Sequence, residues 1–312
     1  MEESHSILFV RRLRVFRGHH LKVFDYMAHA ASVPWLRPRL YAGPESDQTL
    51  LARLTPSGVD RVEAIEPADI YFVSGFDWDV LDKFGIDTSA VPVVHLIQHF
   101  YAADPDDPRH RYLARPALRI CVAPEISEAV APLASGPVVT IANGIDVHEV
   151  AESGIAPESR VFIGGLKNPV AARACADLLA SAAAKIDLCD EALPRTEFLR
   201  RIRACEVAVL LPDPVEGFFL PALEAMALGS ALVVPDCVGA RSFCFADGNC
   251  LMPQFEPGAM ASAALRLLRD KGLRTRLQLE GRKTAAQFTL ERERSQAVAA
   301  FDGVIKWRRL TQ

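Results

Sequence analysis

The sequence has no large excess of charge of either sign, no long hydrophobic run and no paired-cysteine motif. Its 312 residues carry a formal net charge of -4 at pH 7, so nothing in the overall composition favours a nucleic-acid partner. No apolar run approaches the ~18 residues that span a bilayer, and the acidic start MEESHSILFV is unlike a secretory signal. The seven cysteines include no C-x-x-C pair, which is typical of reduced thiols rather than of a disulfide framework or a zinc site. These absences predict a cytoplasmic protein.

Short runs rich in Val and Ile, by contrast, are frequent and alternate with helical patterns. This alternation is the signature of βαβ units and parallel sheets, so the predicted fold class is α/β. A chain of 312 residues is also longer than one core usually serves, which predicts two domains. The predicted strands are residues 7–10, 70–73, 91–97 and 118–122 in the first half and 138–141, 160–163, 207–211 and 231–234 in the second, with helices at 169–180, 195–205 and 221–228.

The change from one half to the other is placed at the small-residue and proline stretch ASGP, residues 134–137, just before a predicted strand. After Leu251 the pattern is helical to the end, and no further strand is predicted.

The segment EGFFLPALEAMALG, residues 216–229, places two carboxylates eight positions apart around the start of a predicted helix. Ligands of open α/β sheets bind beyond the carboxyl ends of strands, where loops lead into helices, and this segment follows a predicted strand. Pro221 suits the first helical turn, and the N–H groups of residues 218–220 would face an anion or a hydroxylated ligand. Since a carboxylate can accept from two neighbouring hydroxyls, Glu216 and Glu224 suit a ligand with two sugar rings, such as a nucleotide sugar.

Spacing alone leaves another interpretation open, in which Glu216 complements the helix dipole and Glu224 is a solvated helix residue. The wider context favours the first interpretation. The stretch PDPVEGFFLPALEAMALGSALVVPD resembles the donor-binding motif of retaining glycosyltransferases with the GT-B fold, in particular glycosyltransferase family 4. TIANGID (140–146) is similar to the start of the family's second domain, and RICVAPEISEAV to the last strand and helix of its first. LPRTEFLRRIRACEVAVLLP and DCVGARSFCFADGNCLMP resemble the segments on either side of the motif. The resemblance covers residues 117–290 and is weak before them.

This resemblance implies a GT-B fold, in which two Rossmann-like domains face each other across a cleft. Residues 1–135 would form the acceptor-side domain, residues 136–289 the nucleotide-sugar donor domain, and residues 290–312 a C-terminal helix that crosses back to the first domain. The resemblance also implies that the sugar is transferred with retention of configuration at the anomeric carbon. Retention on this fold is expected to need no protein nucleophile, so none is assigned.

The resemblance assigns roles to single residues. Glu216 would hydrogen-bond the donor sugar and Glu224 the nucleotide ribose. The predicted catalytic residues are Glu216, Lys167 and His99. The predicted donor-binding residues are Gly18, Gly164, Gly165, Asn143, Gly217, Phe218, Phe219, Leu220, Glu224 and Arg241.

One departure from the family pattern concerns the charges that hold the donor diphosphate. The family usually places an Arg and a Lys after the strand that here reads RVFIGGLKNP. Gly165 stands where the Arg is expected, and Lys167 follows with one residue between them. Lys167 is therefore the predicted cation for the leaving diphosphate, and Arg241 is the candidate for a second charge.

In the first half, the basic stretch RRLRVFRGHHLKVF follows the first predicted strand and resembles the family's glycine-containing loop. Gly18, at the turn into a helix, allows close backbone approach, and Arg17 favours an anion. One alternative is contact of residues 11–22 with an acidic acceptor or an anionic membrane surface, to which each Lys or Arg would add ~1 kcal/mol. The other is a solvated basic edge, formed by Arg11, Arg12 and Arg14.

The segment VVHLIQHFYAADP ends a predicted strand with two histidines. Family 4 enzymes often carry a His near this place that faces the reacting sugar. His99 is the candidate and His95 the weaker one, and a purely structural role stays open for both. Neither this pair nor His19 and His20 has a convincing third ligand, so no metal or other cofactor is expected.

The predicted function is transfer of a sugar from a nucleotide-sugar donor to an unidentified acceptor, whether a glycan, a lipid-linked molecule or a small molecule. Two alternatives stay open. One is a nucleotide-sugar epimerase or hydrolase on the same fold, and the other is a non-catalytic sugar-nucleotide-binding protein, which the missing Arg would favour. The expected location is the cytoplasm, with contact at the inner face of the membrane as the alternative.

Overall fold

The computed structural model describes residues 4–14, 18–151, 159–182 and 184–311. The chain divides into two compact units. The first comprises Met1–Asn143 together with Leu290–Gln312, and the second comprises Gly144–Thr289.

The first unit is built on a sheet of seven parallel strands within the described part of the chain. Its central strands are buried apolar runs such as IYFVS and VVHLI, as expected for a sheet that is covered on both faces. The strands are β1 (His5–Arg11), β2 (Leu36–Ala42), β3 (Asp60–Val62), β4 (Ile70–Ser74), β5 (Val93–Ile97), β6 (Leu118–Cys121) and β7 (Val138–Thr140). Their order across the sheet is β3-β2-β1-β4-β5-β6-β7.

Helices follow these strands, as a parallel sheet requires for its crossover connections. They are α1 (Gly18–Ala31), α2 (Gln48–Leu54), α3 (Trp78–Lys83) and α4 (Pro124–Val130), with short 3-10 turns at Gly75–Asp77, Phe100–Ala103 and Pro108–Ala114.

The strand β7 corrects the sequence prediction, which placed residues 138–141 in the second half. β7 pairs in parallel with β6, with Arg119 opposite Val138, and so it belongs to the first sheet. The turn before it depends on Gly136, whose φ is 109° and where an added Cβ would lie 2.5 Å from the carbonyl oxygen of Ala117. This turn brings the chain back beside β6. The first unit therefore extends to Asn143, whereas the sequence analysis ended the first domain at residue 135.

The second unit is built on a smaller parallel sheet, with four strands among the described residues. They are β8 (Ser159–Gly164), β9 (Ile186–Cys189), β10 (Cys205–Leu210) and β11 (Ala231–Val233), in the order β11-β10-β8-β9. The helices are α5 (His148–Ala151), α6 (Pro169–Ser181), α7 (Arg195–Arg203), α8 (Leu220–Leu228), α9 (Pro257–Arg269) and α10 (Lys271–Ala285).

The two faces of this sheet bury different sets of side chains. Along β10, Val207 and Val209 pack in the cluster that contains α6 and α9, whereas Ala208 and Leu210 pack in the cluster that contains α8. This alternation follows from the two-residue period of a strand. It holds α8 against the carboxyl half of β10.

The last helix, α11 (Leu290–Thr311), is grouped with the first unit and packs on α1. Glu293 of α11 is fully buried there and lies 2.6 Å from the ammonium nitrogen of Lys22. Asp25 lies 2.6 Å from the same nitrogen, and His29 is 3.9 Å from Glu293. Burial raises the pKa of Asp25 in this cluster.

Each predicted strand overlaps an observed one, and the prediction of an α/β fold with parallel sheets is confirmed. β2, β3 and β9 were not predicted. Residues 252–311, all of which are described, add no strand. None of the helices in the described residues combines the length and apolar composition needed to cross a membrane.

Candidate functional site

The two glutamates at positions 216 and 224 lie at the carboxyl edge of the second sheet, beyond β10 and around the start of α8. Pro221 occupies the first turn of α8, and the helix ends at Gly229, whose φ of 84° is left-handed. Glu216 is 7% exposed and Glu224 is 2% exposed. The alternative in which Glu224 is a solvated helix residue is therefore wrong.

Lys167 is the partner of Glu216. It lies in the turn between β8 and α6, and its ammonium group donates a hydrogen bond to Glu216 Oε1. The backbone N–H of Asp213 donates to the same oxygen at 3.1 Å, and the Asp213 carboxylate is 3.9 Å from Lys167 Nζ. Because β8 and β10 are neighbours in the sheet, their carboxyl ends bring together two residues that the sequence analysis named separately as catalytic.

Arg195 is the partner of Glu224, and the sequence analysis did not identify it. Its Nη1 donates to Glu224 Oε1, and its Nη2 donates to the backbone carbonyl oxygen of Asp146 at 3.1 Å. It opens α7, which follows β9, so the rule that sites gather at the carboxyl edge of a parallel sheet pointed to its position. No local motif marks it, because its partner is 29 residues away.

The backbone N–H groups at the start of α8 correct a further prediction. The N–H of Phe219 donates to the carbonyl oxygen of Gly239 at 3.0 Å, and that of Leu220 donates to the carbonyl oxygen of Phe218 at 3.0 Å. A Cβ added to Gly239 would lie 2.7 to 2.8 Å from the backbone of residues 216–218, so the loop after β11 presses closely on this segment and on the buried Gly217. Two of the three N–H groups expected to face an anion are thus used within the protein.

The two glycines at the end of β8, Gly164 and Gly165, pack closely on their neighbours. Gly165 packs so closely on α6 that an added Cβ would overlap the side chain of Ala172. At Gly164 an added Cβ would lie 2.8 Å from Leu210 Cδ2 of β10. The contact at Gly165 excludes a side chain unless α6 moves, whereas the contact at Gly164 could be relieved by a shift of the Leu210 side chain.

Arg241, the candidate for a second cation, forms a paired contact with Asp236. Its Nε and Nη2 donate to the two carboxylate oxygens at 3.1 and 2.6 Å, and this pair lowers the pKa of Asp236. Both side chains are about half exposed. Beside them, burial and the charge of Glu216 raise the pKa of the Cys237 thiol to about 12.

The remaining predicted site residues lie in the first unit. His99 follows β5, and its ring stacks on Tyr101 with centroids 3.7 Å apart. The guanidinium of Arg109 lies 4.0 Å from the Tyr101 centroid, and Asp107 accepts hydrogen bonds from Arg109 at 2.7 and 2.6 Å. His95 is fully buried against Trp78, and burial lowers its pKa to about 3, so it is a neutral core residue.

Two more predicted residues belong to the first unit. Gly18 opens α1, and a Cβ added to it would meet no atom within 4 Å. Asn143 is buried, and its side-chain oxygen has no hydrogen-bond partner among the described residues.

The basic stretch at residues 11–22 is not a solvated basic edge throughout, which corrects that alternative. Arg11 is buried and donates to the Asp77 carboxylate at 2.8 Å, and Lys22 is buried with Glu293. Arg14 is exposed and Arg12 is partly exposed. Arg17 lies outside the described residues.

No group of three or more His, Cys, Asp or Glu side chains in the described part of the chain is placed to hold a metal ion. The seven cysteines are free and buried.

Comparison with known proteins gives a family match for the second unit. Residues 158–270 match the family of glycosyl transferases group 1. The match agrees with the glycosyltransferase class predicted from the sequence. No curated protein matches the chain.

Solved structures resemble the chain over nearly its full length. HepE from Anabaena, in complex with UDP and glucose, has a TM-score of 0.74 at 13% identity and covers 96% of this chain and 100% of its own. A glycosyltransferase from Rickettsia africae has a TM-score of 0.71 at 11% identity, with 97% and 99% covered. Sucrose-phosphate synthase from Thermosynechococcus elongatus has a TM-score of 0.66 at 13% identity, again with 97% and 99% covered. These likenesses confirm the predicted GT-B fold with two Rossmann-like domains.

Proposed function

We propose that the protein is a retaining glycosyltransferase that moves a sugar from a nucleotide-sugar donor to an acceptor without a metal ion. One observation carries the proposal. The buried carboxylate of Glu216 is joined to Lys167 at the carboxyl edge of a parallel sheet, inside the segment that matches glycosyl transferases group 1. This edge is where ligands of open α/β sheets bind.

Glu216 is proposed to orient the donor sugar. Its Oε1 accepts from Lys167 and from the N–H of Asp213. Its Oε2 is the oxygen proposed to accept from a sugar hydroxyl, and because a charged acceptor forms a stronger bond than a neutral one, it would fix the sugar in one orientation. Glu224 is proposed to accept from the ribose in the same way.

Lys167 is proposed to stabilise the leaving nucleoside diphosphate. Its side chain is 43% exposed and lies between two carboxylates, Glu216 and Asp213. A diphosphate carries more charge than either carboxylate and would draw the ammonium group toward itself as the glycosidic bond breaks. Since the N–H groups of Phe219 and Leu220 are already used, Lys167 would carry most of this stabilisation.

Further donor contacts are proposed from Gly18, Asn143, Gly164, Gly165, Gly217, Phe218 and Arg241, the last only if it leaves Asp236. His99 is proposed to face the reacting sugar, with its ring held by the stack on Tyr101. The acceptor would bind to the first unit. A contact of that unit with an anionic membrane would depend on Arg12 and Arg14, because Arg11 and Lys22 are buried.

The first experiment is a thermal-shift screen of UDP-, GDP-, ADP- and dTDP-sugars, since a ligand of the native state raises the apparent stability by mass action. UDP-glucose is the first donor to test, because HepE is known in complex with it. An identified donor is then followed by time-resolved NMR with and without candidate acceptors. Transfer with the anomeric configuration retained supports the proposal, and an inverted product contradicts it.

The same spectra separate the alternatives. Conversion of the donor to a second nucleotide sugar indicates an epimerase, and release of free sugar without dependence on any acceptor indicates a hydrolase. Binding with no turnover indicates a sugar-nucleotide-binding protein. Activity that disappears in EDTA and returns with Mg²⁺ or Mn²⁺ contradicts the metal-free mechanism.

A further inference from the structure

The carboxylate of Glu224 is held by a cation to which no motif in the sequence pointed. Glu224 lies inside α8 with its side chain 3% exposed, and Arg195 reaches it from the start of α7 with its side chain 28% exposed. The guanidinium also donates to the carbonyl oxygen of Asp146 at 3.1 Å. Arg195 is therefore anchored at two points, one of them on the carboxylate proposed to bind ribose.

We propose that Arg195 is a positioning residue for the nucleotide, which holds the Glu224 carboxylate in place by a hydrogen bond to Oε1 and turns its Oε2 toward the ribose hydroxyls. This inference rests on the proposed function. It adds a residue that recognises ribose indirectly, through the orientation and charge of another side chain.

Burial is the first physical reason. An ionised carboxylate that is almost fully removed from water is costly unless a cation and hydrogen bonds compensate it. Arg195 supplies the cation for Glu224, just as Lys167 and the Asp213 N–H compensate Glu216. Each of the two buried carboxylates, one in the loop before α8 and one inside α8, therefore has its own cation.

Geometry is the second reason. The planar guanidinium donates to Glu224 Oε1 from Nη1 and to the Asp146 carbonyl from Nη2, so the Arg195 side chain has little freedom to rotate. An acceptor that is already fixed loses less entropy when its ligand binds.

The same contacts argue against a different role for Arg195, that of replacing the missing diphosphate-binding Arg. A residue that neutralises the leaving group must reach it, and the guanidinium of Arg195 is engaged at two acceptors and nearly three-quarters covered. Lys167 is the more exposed of the two cations.

The test compares the binding of UDP and of 2′,3′-dideoxy-UDP by calorimetry, because the ratio of the two affinities isolates the ribose hydroxyls. The variants are Arg195→Met, Arg195→Lys, Glu224→Gln and the double variant Arg195→Met/Glu224→Gln. Arg173→Met is the matched control, since Arg173 is an exposed arginine of α6 in the same unit and also forms an ion pair with a carboxylate, that of Asp190.

In the wild type and in the control we expect UDP to bind about tenfold or more tightly than the dideoxy compound, as for hydrogen bonds to a charged group. In Arg195→Met the ratio should fall toward one while the dideoxy compound binds as it does to the wild type. Arg195→Lys should restore part of the ratio. In the Glu224→Gln background, Arg195→Met should have no further effect.

Several outcomes overturn the inference. An unchanged ratio in Arg195→Met would show that Arg195 does not act on the ribose, and equal weakening of both ligands would indicate a diphosphate contact or a structural role. If Arg195→Met does not fold, the Lys variant and the double variant, which removes both charges, decide by the same ratios. A wild-type ratio in Glu224→Gln would reject the ribose role of Glu224 and the inference with it. Failure of the wild type to bind any of UDP, GDP, ADP or dTDP would reject the proposed function itself.

Discussion

Replacing Lys167 by alanine should separate catalysis from stability. The side chain of Lys167 is 43% exposed and that of Glu216 is 10% exposed, so loss of the pair should cost more than the ~0.2 to 1 kcal/mol of an exposed pair and less than the ~3 to 5 kcal/mol of a fully buried one. Glu216 would also keep the hydrogen bond from the Asp213 N–H. The free energy of unfolding should therefore fall by about 1 to 3 kcal/mol, which a domain of typical stability tolerates, and Lys167→Ala should fold.

The effect on turnover should be much larger. Removing one preorganised donor at a site of developing charge costs roughly 3 kcal/mol, or about a hundredfold in rate. Because the interaction strengthens as the diphosphate departs, kcat should fall more than the donor KM rises. Lys167→Arg should recover only part of the rate, since a planar fork does not replace a point charge at the same place.

The assay is steady-state kinetics with the donor found in the thermal-shift screen, with circular dichroism to confirm folding. Lys271→Ala is the control, because Lys271 is an exposed lysine at the start of α10 in the same unit. A folded Lys167→Ala with turnover within about twofold of the wild type would refute the reasoning. A raised KM with unchanged kcat would assign Lys167 to ground-state binding instead.

Three other predictions follow from buried groups. Glu224→Ala should weaken binding of free UDP by about tenfold, whereas Glu216→Ala should spare it and lower turnover, and equal losses in calorimetry would contradict this division. Glu293→Ala should lower the free energy of unfolding by about 3 kcal/mol, because the buried ammonium group of Lys22 then loses one of its carboxylate partners. In denaturant titrations, Lys306→Ala on the exposed side of the same helix should cost less than about 0.5 kcal/mol. Burial raises the pKa of the Cys237 thiol to about 12, and a thiol reagent reacts with the thiolate. The native protein at pH 8 should therefore react slowly with such a reagent, and prompt labelling of the native protein would contradict this prediction.

The strands that the sequence predicted are those with continuous apolar runs, and the missed ones lack this pattern. β2 reads LRPRLYA, in which two arginines and a proline interrupt the apolar residues. β3 is a short edge strand of mostly exposed residues, and β9 is an edge strand of partly buried ones. Edge positions relax the demand for apolar side chains, so periodicity gives little signal there.

The assignment of β7 to a sheet was wrong for a different reason. The apolar residues of β7 indicate a strand, but they do not indicate which strand it pairs with. That pairing depends on the turn at Gly136 and on the free edge of β6, which are tertiary features.

In the site, too, residues within local motifs were predicted, whereas contacts between residues distant in the sequence were not. The sequence predicted Glu216, Glu224 and Lys167 from motifs, and the structure joins two of them. It could not show that Arg195 compensates Glu224, because these residues are 29 positions apart. It could not show that the carbonyl of Gly239 occupies the N–H of Phe219 either, since that contact depends on how the loop after β11 returns to the site.

The close packing at Gly165 makes an arginine difficult to place at this position. Gly165→Arg alone would collide with Ala172, so any gain in phosphate binding would come with a displaced α6. Ala172→Gly would clear the space, since the next atom, Ala172 Cα, is 3.5 Å from the added Cβ, but a glycine inside a helix costs about 1 kcal/mol by itself. Neither change is favourable without the other. An arginine at position 165 therefore requires at least two substitutions, the first of which is harmful in either order, and an attempt to engineer a stronger donor site at this loop should begin with the pair.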